Sequence, residues 1–137
     1  MAPPPPRPIN LVRQWAAIER YFPLATGRLH RNRLICTVPL QPTPSSLTYT
    51  AHVTVPFDRH PDVEIIDPEL ELYPGSTQLP HTYPGNKLCL YYQGEWDSSR
   101  LVARTVLPWA SEWLLHYELW LATGTWHGGG IEHRSPA

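Results

Sequence analysis

The sequence predicts an α+β fold: an N-terminal helix, an antiparallel β-meander, a long irregular loop and C-terminal helices. Three patterns carry that reading. Leu11, Trp15, Ile18 and Phe22 recur at helical spacing. Leu47, Tyr49, Ala51, Val53 and Val55 alternate with Thr48, Thr50, His52 and Thr54, the period of a half-buried strand. Trp109, Trp113, Leu114, Tyr117, Trp120 and Leu121 form a wide apolar stripe on a helix.

The first helix runs from Asn10 to Phe22, with Asn10 as N-cap and Pro23 as the stop. Arg33 to Leu40 reads as a strand, and Pro39 puts it near an edge or an end. Pro42 to Ser46 is a turn, followed by the alternating strand. Phe57-Asp58-Arg59-His60-Pro61 turns the chain into a third strand, Val63 to Ile66. Short connections between these strands predict an antiparallel meander. From Leu72 to Glu95 regular structure is scarce, and Pro74-Gly75 and Pro84-Gly85 mark turns. Asp97, Ser98 or Ser99 can cap a short helical segment reaching Leu107. Pro108 then opens a second helix, Trp109 to Thr123, which Gly124 ends. The organisation is a proline-rich leader (1–9), one domain (10–125) and a glycine-rich polar tail (126–137).

Composition narrows the function. The 137 residues suit a single core, and 42% hydrophobic with 17% charged residues indicates a globular chain. A net charge of -1 gives no basic footprint, which argues against nucleic acid as a partner. No apolar run is long enough to span a bilayer, so no membrane role is expected. The leader lacks the apolar stretch of a secretory signal, and with only two cysteines the expected setting is the reducing cytoplasm. Seven histidines are present, but none has ligand spacing, so scattered surface histidines and no metal are expected. No P-loop or Gly-rich dinucleotide motif is present, and no cofactor is expected.

Chemistry concentrates in His81-Thr82-Tyr83-Pro84-Gly85-Asn86-Lys87-Leu88-Cys89-Leu90. A cysteine between two leucines is commonly a small buried hydrophobe. Here a histidine and a Pro-Gly turn precede it, a setting in which a thiolate can be displayed and stabilised. Cys89 is therefore the candidate nucleophile. His81 is the first candidate to donate to an oxyanion or to accept a proton. Asn86 is the second, although it can equally shape the turn, and the Tyr83 hydroxyl is the third. Gly85 allows a tight turn near the thiol. Trp96 is expected to pack over the loop after Cys89. Cys36, in the apolar run Leu34-Ile35-Cys36-Thr37-Val38, is expected in the core, with no Cys36–Cys89 disulfide.

The order of elements and two segments resemble the ubiquitin-conjugating (E2) fold over residues 10–123. TYTAHVTVPFDRHPDVEIIDPEL resembles the E2 strand, turn and strand. LPHTYPGNKLCLYYQGEW resembles the E2 active-site run, with His81-Thr82-Tyr83 in place of His-Pro-Asn and His81 where the E2 asparagine would fall. That departure, with PWASEWLLHYELWLATGTWHGGG, is similar to the bacterial E2-like proteins of type II (short) CBASS anti-phage operons. The resemblance implies an E2-like transferase. Cys89 would carry the C-terminus of a cGAS-like nucleotidyltransferase as a thioester and pass it to an amine such as a lysine of a target protein, priming antiviral signalling. It also implies that activation energy, for instance from an E1-like activator, comes from outside this chain. The contrasting reading is a non-catalytic E2-fold scaffold that binds the nucleotidyltransferase through its Trp-rich helix. A thiol hydrolase using Cys89 and His81 ranks below both, because no third orienting residue is evident.

Overall fold

The computed structural model describes residues 2–128. It contains helix α1 (Leu11–Tyr21), strands β1 (Thr26–His30), β2 (Arg33–Leu40), β3 (Tyr49–Pro56), β4 (Asp62–Asp67), β5 (Thr82–Tyr83) and β6 (Lys87–Leu88), one 3-10 turn (Val102–Arg104) and helix α2 (Val106–Thr123). The strands form one antiparallel sheet in the order β1-β2-β3-β4-β6-β5. The fold is α+β, with an N-terminal helix, an antiparallel sheet and a C-terminal helix.

Period-two alternation decides which face of the sheet is covered. Leu34, Cys36, Val38 and Leu40 of β2 point inward with Tyr49, Ala51, Val53 and Val55 of β3 and Val63 and Ile65 of β4. These residues share a core with Ile18 of α1, Val102 and Ala103 of the 3-10 turn, and Val106, Leu107, Ala110, Trp113, Leu114, Tyr117 and Trp120 of α2. The helical spacing of that last set places it on one face, where burial of apolar area supplies most of the helix's stability.

The helix ends follow local chemistry. Asn10 caps α1, its side chain accepting from the Arg13 N–H at 2.8 Å. Phe22 lies just beyond α1, and its N–H still reaches the Ile18 carbonyl at 2.8 Å. Gly124 closes α2 with φ 79, a left-handed residue whose N–H returns to the Trp120 carbonyl at 2.7 Å. One polar side chain is built into the core. Gln14 donates to the Arg100 carbonyl at 2.9 Å and accepts from the Val102 N–H at 2.9 Å. It thereby joins α1 to the segment before α2 and satisfies the Val102 N–H, which burial would otherwise strand.

Several elements differ from the sequence reading. β1 was not anticipated. Its residues are all exposed and do not alternate, so no pattern marks it. It forms because a tight turn at Arg31-Asn32, with Arg31 at φ 54, folds it back along β2. The start of the second predicted strand also shifts: Leu47 is 65% exposed and lies before β3. The turn ahead of it is held by Ser46, whose hydroxyl donates to Glu118 of α2 at 2.8 Å. The irregular stretch hides the small β5–β6 hairpin. The predicted helical segment from Asp97 shrinks to the single 3-10 turn, because the Asp97 side chain is taken up by the Ser99 N–H in a local turn. α2 starts at Val106, earlier than expected. Pro108 fits within its first turn because the N–H it lacks there has no intrahelical partner.

The leader is exposed from Ala2 to Arg7, and the Ile9 N–H pairs with the Ser98 carbonyl at 2.8 Å. Of the glycine-rich tail, Gly129 onward lies outside the described residues. Among the described residues no helix is long and apolar enough to cross a membrane.

Candidate active site

The β5–β6 hairpin builds the site. Pro84, Gly85 and Asn86 connect its strands, Gly85 at φ 81 and Asn86 at φ 58. Asn and Gly are the residues that enter this left-handed region at least cost. The hairpin hangs on the edge of the sheet, where β6 pairs with β4 and Lys87 meets Glu64 at 3.1 Å. Both partners are about one-third exposed, so this ion pair contributes at most about 1 kcal/mol. Directly after β6, the Cys89 N–H donates to the His81 carbonyl at 3.0 Å and closes the hairpin's open end.

His81 has φ 50, a conformation that costs an L-residue roughly 1–2 kcal/mol. Two donors converge on its carbonyl: the Cys89 N–H, and the Trp113 Nε1 of α2 at 3.1 Å. They hold the strained backbone in place. The imidazole stacks on Trp126, with centroids 4.9 Å apart and planes 29° apart. Trp126 also contacts Trp113 and His116, so the chain beyond Gly124 folds back over this side of the site.

The two thiols have different environments. Cys36 is 1% exposed, and burial pushes its pKa from 9.0 up to about 12. It is a core residue, as its apolar strand implies. Cys89 is half-buried. Partial burial also raises its thiol, but the Tyr83 hydroxyl and the Tyr91 backbone N–H both act to lower it. The Cys89 Sγ and Tyr83 Oη are 3.6 Å apart. In the neutral pair the thiol donates; once the sulfur is ionised, the tyrosine hydroxyl can donate to it. Tyr83 itself is pushed up to about 12, first by burial and then by its bond to Cys89, so it stays protonated as a donor at neutral pH. The cysteines are not bonded to each other.

Three aromatic rings cluster around Tyr91, two residues after the thiol. Tyr91 lies against Trp96 at 6.2 Å and Trp109 at 5.6 Å, and it stacks on His60 at 5.7 Å. The His60 Nδ1 is 2.9 Å from the Tyr91 hydroxyl. Trp96 is buried, and its Nε1 donates to the Thr105 hydroxyl at 3.1 Å. The packing of Trp96 against the loop after Cys89 therefore takes place through Tyr91.

The hairpin thus brings Cys89, His81 and Tyr83 together, while Asn86 occupies its exposed turn. The sequence reading missed Tyr91, His60 and Trp126. Tyr91 contributes a backbone N–H, which side-chain identity does not reveal. His60 and Trp126 arrive from a distant turn and from beyond a helix stop. No group of His, Cys, Asp or Glu able to hold a metal occurs among the described residues.

A family model described as Type II CBASS E2 protein matches residues 14–134. The chain belongs to the type II CBASS E2 family. The match runs from within α1 through the sheet, the hairpin and α2, so the half-exposed cysteine and the helix whose Trp113 binds the His81 carbonyl lie within the family domain. Membership gives this CBASS E2 protein an E2-like role associated with CBASS. Comparison with the curated proteins gives no match.

Proposed function

We propose that this CBASS E2 protein carries the C-terminus of a cGAS-like nucleotidyltransferase on Cys89 as a thioester and transfers it to an amine. The observation that carries the proposal is the half-buried Cys89 Sγ beside the Tyr83 hydroxyl at 3.6 Å, within an E2-family domain. In the first step the thiolate attacks an activated acyl carbon. The C–S bond forms, and the activating group leaves with its electron pair. In the second step an amine attacks the thioester carbon. The C–N bond forms, the sulfur departs as thiolate, and the amine proton passes to a base or to water.

Each step crosses a tetrahedral oxyanion, which a fixed donor stabilises most effectively. The rigid backbone of His81 supports its imidazole as that donor or as the proton acceptor. The Tyr83 hydroxyl supports the thiolate, as nucleophile first and as leaving group later. Asn86, at the exposed hairpin turn, serves the turn in this reading. Activation comes from outside the chain, from an E1-like activator or from the nucleotidyltransferase's own setting, and the acceptor is a lysine of a target protein.

The test is co-expression with a cGAS-like nucleotidyltransferase from a type II CBASS operon. The wild-type protein should form an adduct that reductant cleaves, whose mass is the sum of both proteins less one water. Cys89→Ser should give a reductant-resistant ester or no adduct. An intact partner C-terminus with no adduct on wild-type protein would overturn the proposal. Full phage protection by Cys89→Ala, with the complex retained, would favour the scaffold reading instead.

A further inference from the structure

We infer that Trp126 is a positioning residue for His81, holding its imidazole from the chain just beyond α2. The inference rests on the acyl-transfer reading of Cys89. The register of the hairpin, Thr82 opposite Leu88 and Tyr83 opposite Lys87, brings His81 opposite Cys89, and the Cys89 N–H bonds the His81 carbonyl at 3.0 Å. That bond and the Trp113 Nε1 at 3.1 Å fix the backbone of the histidine. Neither fixes its ring, which turns about side-chain torsions of its own. Trp126 meets that ring directly: the centroids are 4.9 Å apart and the planes 29° apart. A stack of this kind grips a face of the imidazole without using its two nitrogens, which lie on the ring edge.

Trp126 is itself seated by its neighbours. Its indole lies 5.5 Å from the Trp113 ring and 5.8 Å from that of His116, both on α2. Trp113 therefore serves His81 twice, through its Nε1 to the carbonyl and through its ring to Trp126. The chain leading to Trp126 is pinned as well. The Gly124 N–H returns to the Trp120 carbonyl at 2.7 Å, and the Thr125 N–H donates to the Thr123 hydroxyl at 3.2 Å. Beyond it, a Cβ placed on Gly128 would come 2.6 Å from the Trp126 Nε1 and 2.9 Å from the His116 Cδ2. Only a residue without a side chain passes that close. Residues 125–128 thus form a strap that seats the indole between α2 and His81. The orienting contact is made on folding, so a donor or proton acceptor on the imidazole is already aimed when acyl transfer begins.

The experiment separates the His81 ring from the thiol. An acetyl group is exchanged onto Cys89 from a small acetyl thioester: the thiolate attacks the acetyl carbon and the small thiolate leaves. Peptide mass spectrometry identifies Cys89 as the loaded thiol and follows transfer of the acetyl group to added lysine. In parallel, unloaded Cys89 is alkylated with iodoacetamide, a displacement that passes through no oxyanion. Trp126→Ala should slow aminolysis about tenfold and leave alkylation at the wild-type rate. Trp126→Phe, which can still stack, should stay within about twofold of wild type, and Trp126→Leu, which cannot, should match Trp126→Ala. In a His81→Ala background, Trp126→Ala should cause no further loss. Wild-type aminolysis in Trp126→Ala, an equal fall in alkylation, or the same loss again in the His81→Ala background would overturn the inference. Should Trp126→Ala fail to fold, Trp126→Leu against Trp126→Phe still decides it, as does Gly128→Ala, whose Cβ displaces the indole and should slow aminolysis likewise. The acetyl probe needs no nucleotidyltransferase. A Trp126 effect without any partner adduct would defeat the acyl-donor reading and leave the positioning role standing, and a partner adduct without a Trp126 effect would do the reverse.

Discussion

The Cys89 N–H donates to the His81 carbonyl at 3.0 Å, so the candidate nucleophile and the strained histidine are the two ends of one closed hairpin. The seven residues between them in sequence are spanned by a single hydrogen bond in space. A change of backbone at His81 therefore displaces Cys89 as well. This sets apart substitutions that alter the imidazole alone from those that alter the turn.

His81 provides the first prediction. With φ 50, the position accepts Asn readily, whereas a β-branched residue is strained there. His81→Asn should fold with an unchanged melting temperature and retain aminolysis of a preformed Cys89 thioester. His81→Ala, which removes the donor, should slow that step by about 10²–10³. Single-turnover decay of the thioester with added lysine measures both. Equal rates for wild type and His81→Ala would remove the side chain from the mechanism.

Tyr83 provides a pH-dependent one. Its hydroxyl lowers the thiol that burial raises, so Tyr83→Phe leaves burial less opposed and moves the Cys89 pKa further up. Below that pKa the thiolate fraction falls with the shift. Alkylation or thioester formation at pH 7 should drop about tenfold. At pH values above the variant's own pKa the two rates should converge. A constant ratio across pH would instead indicate a steric effect.

Cys36 predicts alkaline instability. Its folded pKa, about 12, lies above the ordinary 9.0, so the unfolded chain loses this proton first. The resulting contribution is complete below pH 9 and is lost as the pH rises toward 12. Urea midpoints should fall between pH 8 and pH 10.5, by up to about 2 kcal/mol from this thiol. Cys36→Ala should flatten the slope while lowering stability at neutral pH, because it opens a small cavity. Its Cys89 adduct should persist.

The buried amide of Gln14 makes a stability prediction. Gln14→Leu keeps most of the volume but leaves the Arg100 carbonyl and the Val102 N–H without their partner. The expected loss is about 1–3 kcal/mol, chiefly from the buried Val102 N–H left without its partner. Gln14→Glu should be milder at low pH, where the protonated acid can again donate to the carbonyl while accepting from the N–H. Chemical denaturation at pH 4 and pH 7 distinguishes these outcomes.

Much of this was legible in the sequence. Alternation in β3 and the stripe on α2 identify the two faces that make the core, and Asn10 and Gly124 mark helix ends through capping chemistry. Cys89, His81 and Tyr83 are legible as a cluster because a Pro-Gly turn forces them together. β1 is not legible, since an exposed edge strand has no buried side chains to impose a period. Nor is the hairpin, whose two-residue strands are shorter than any periodic signal. The supports of the site are equally hidden. Trp113 reads as a core residue, and it is one, yet its Nε1 also binds the His81 carbonyl. A residue that fills a core and holds a loop gives only the first signal.

That Trp113 bond has a consequence for biosynthesis. The ribosome makes the loop that holds Cys89 before it makes α2, and the His81 carbonyl receives its second donor only when the helix has been translated and docked. Until then the strained hairpin lacks a restraint that holds its shape. The emerging chain thus carries Cys89 before the turn behind it is fully held, and that turn gains its last restraint only after α2 has docked.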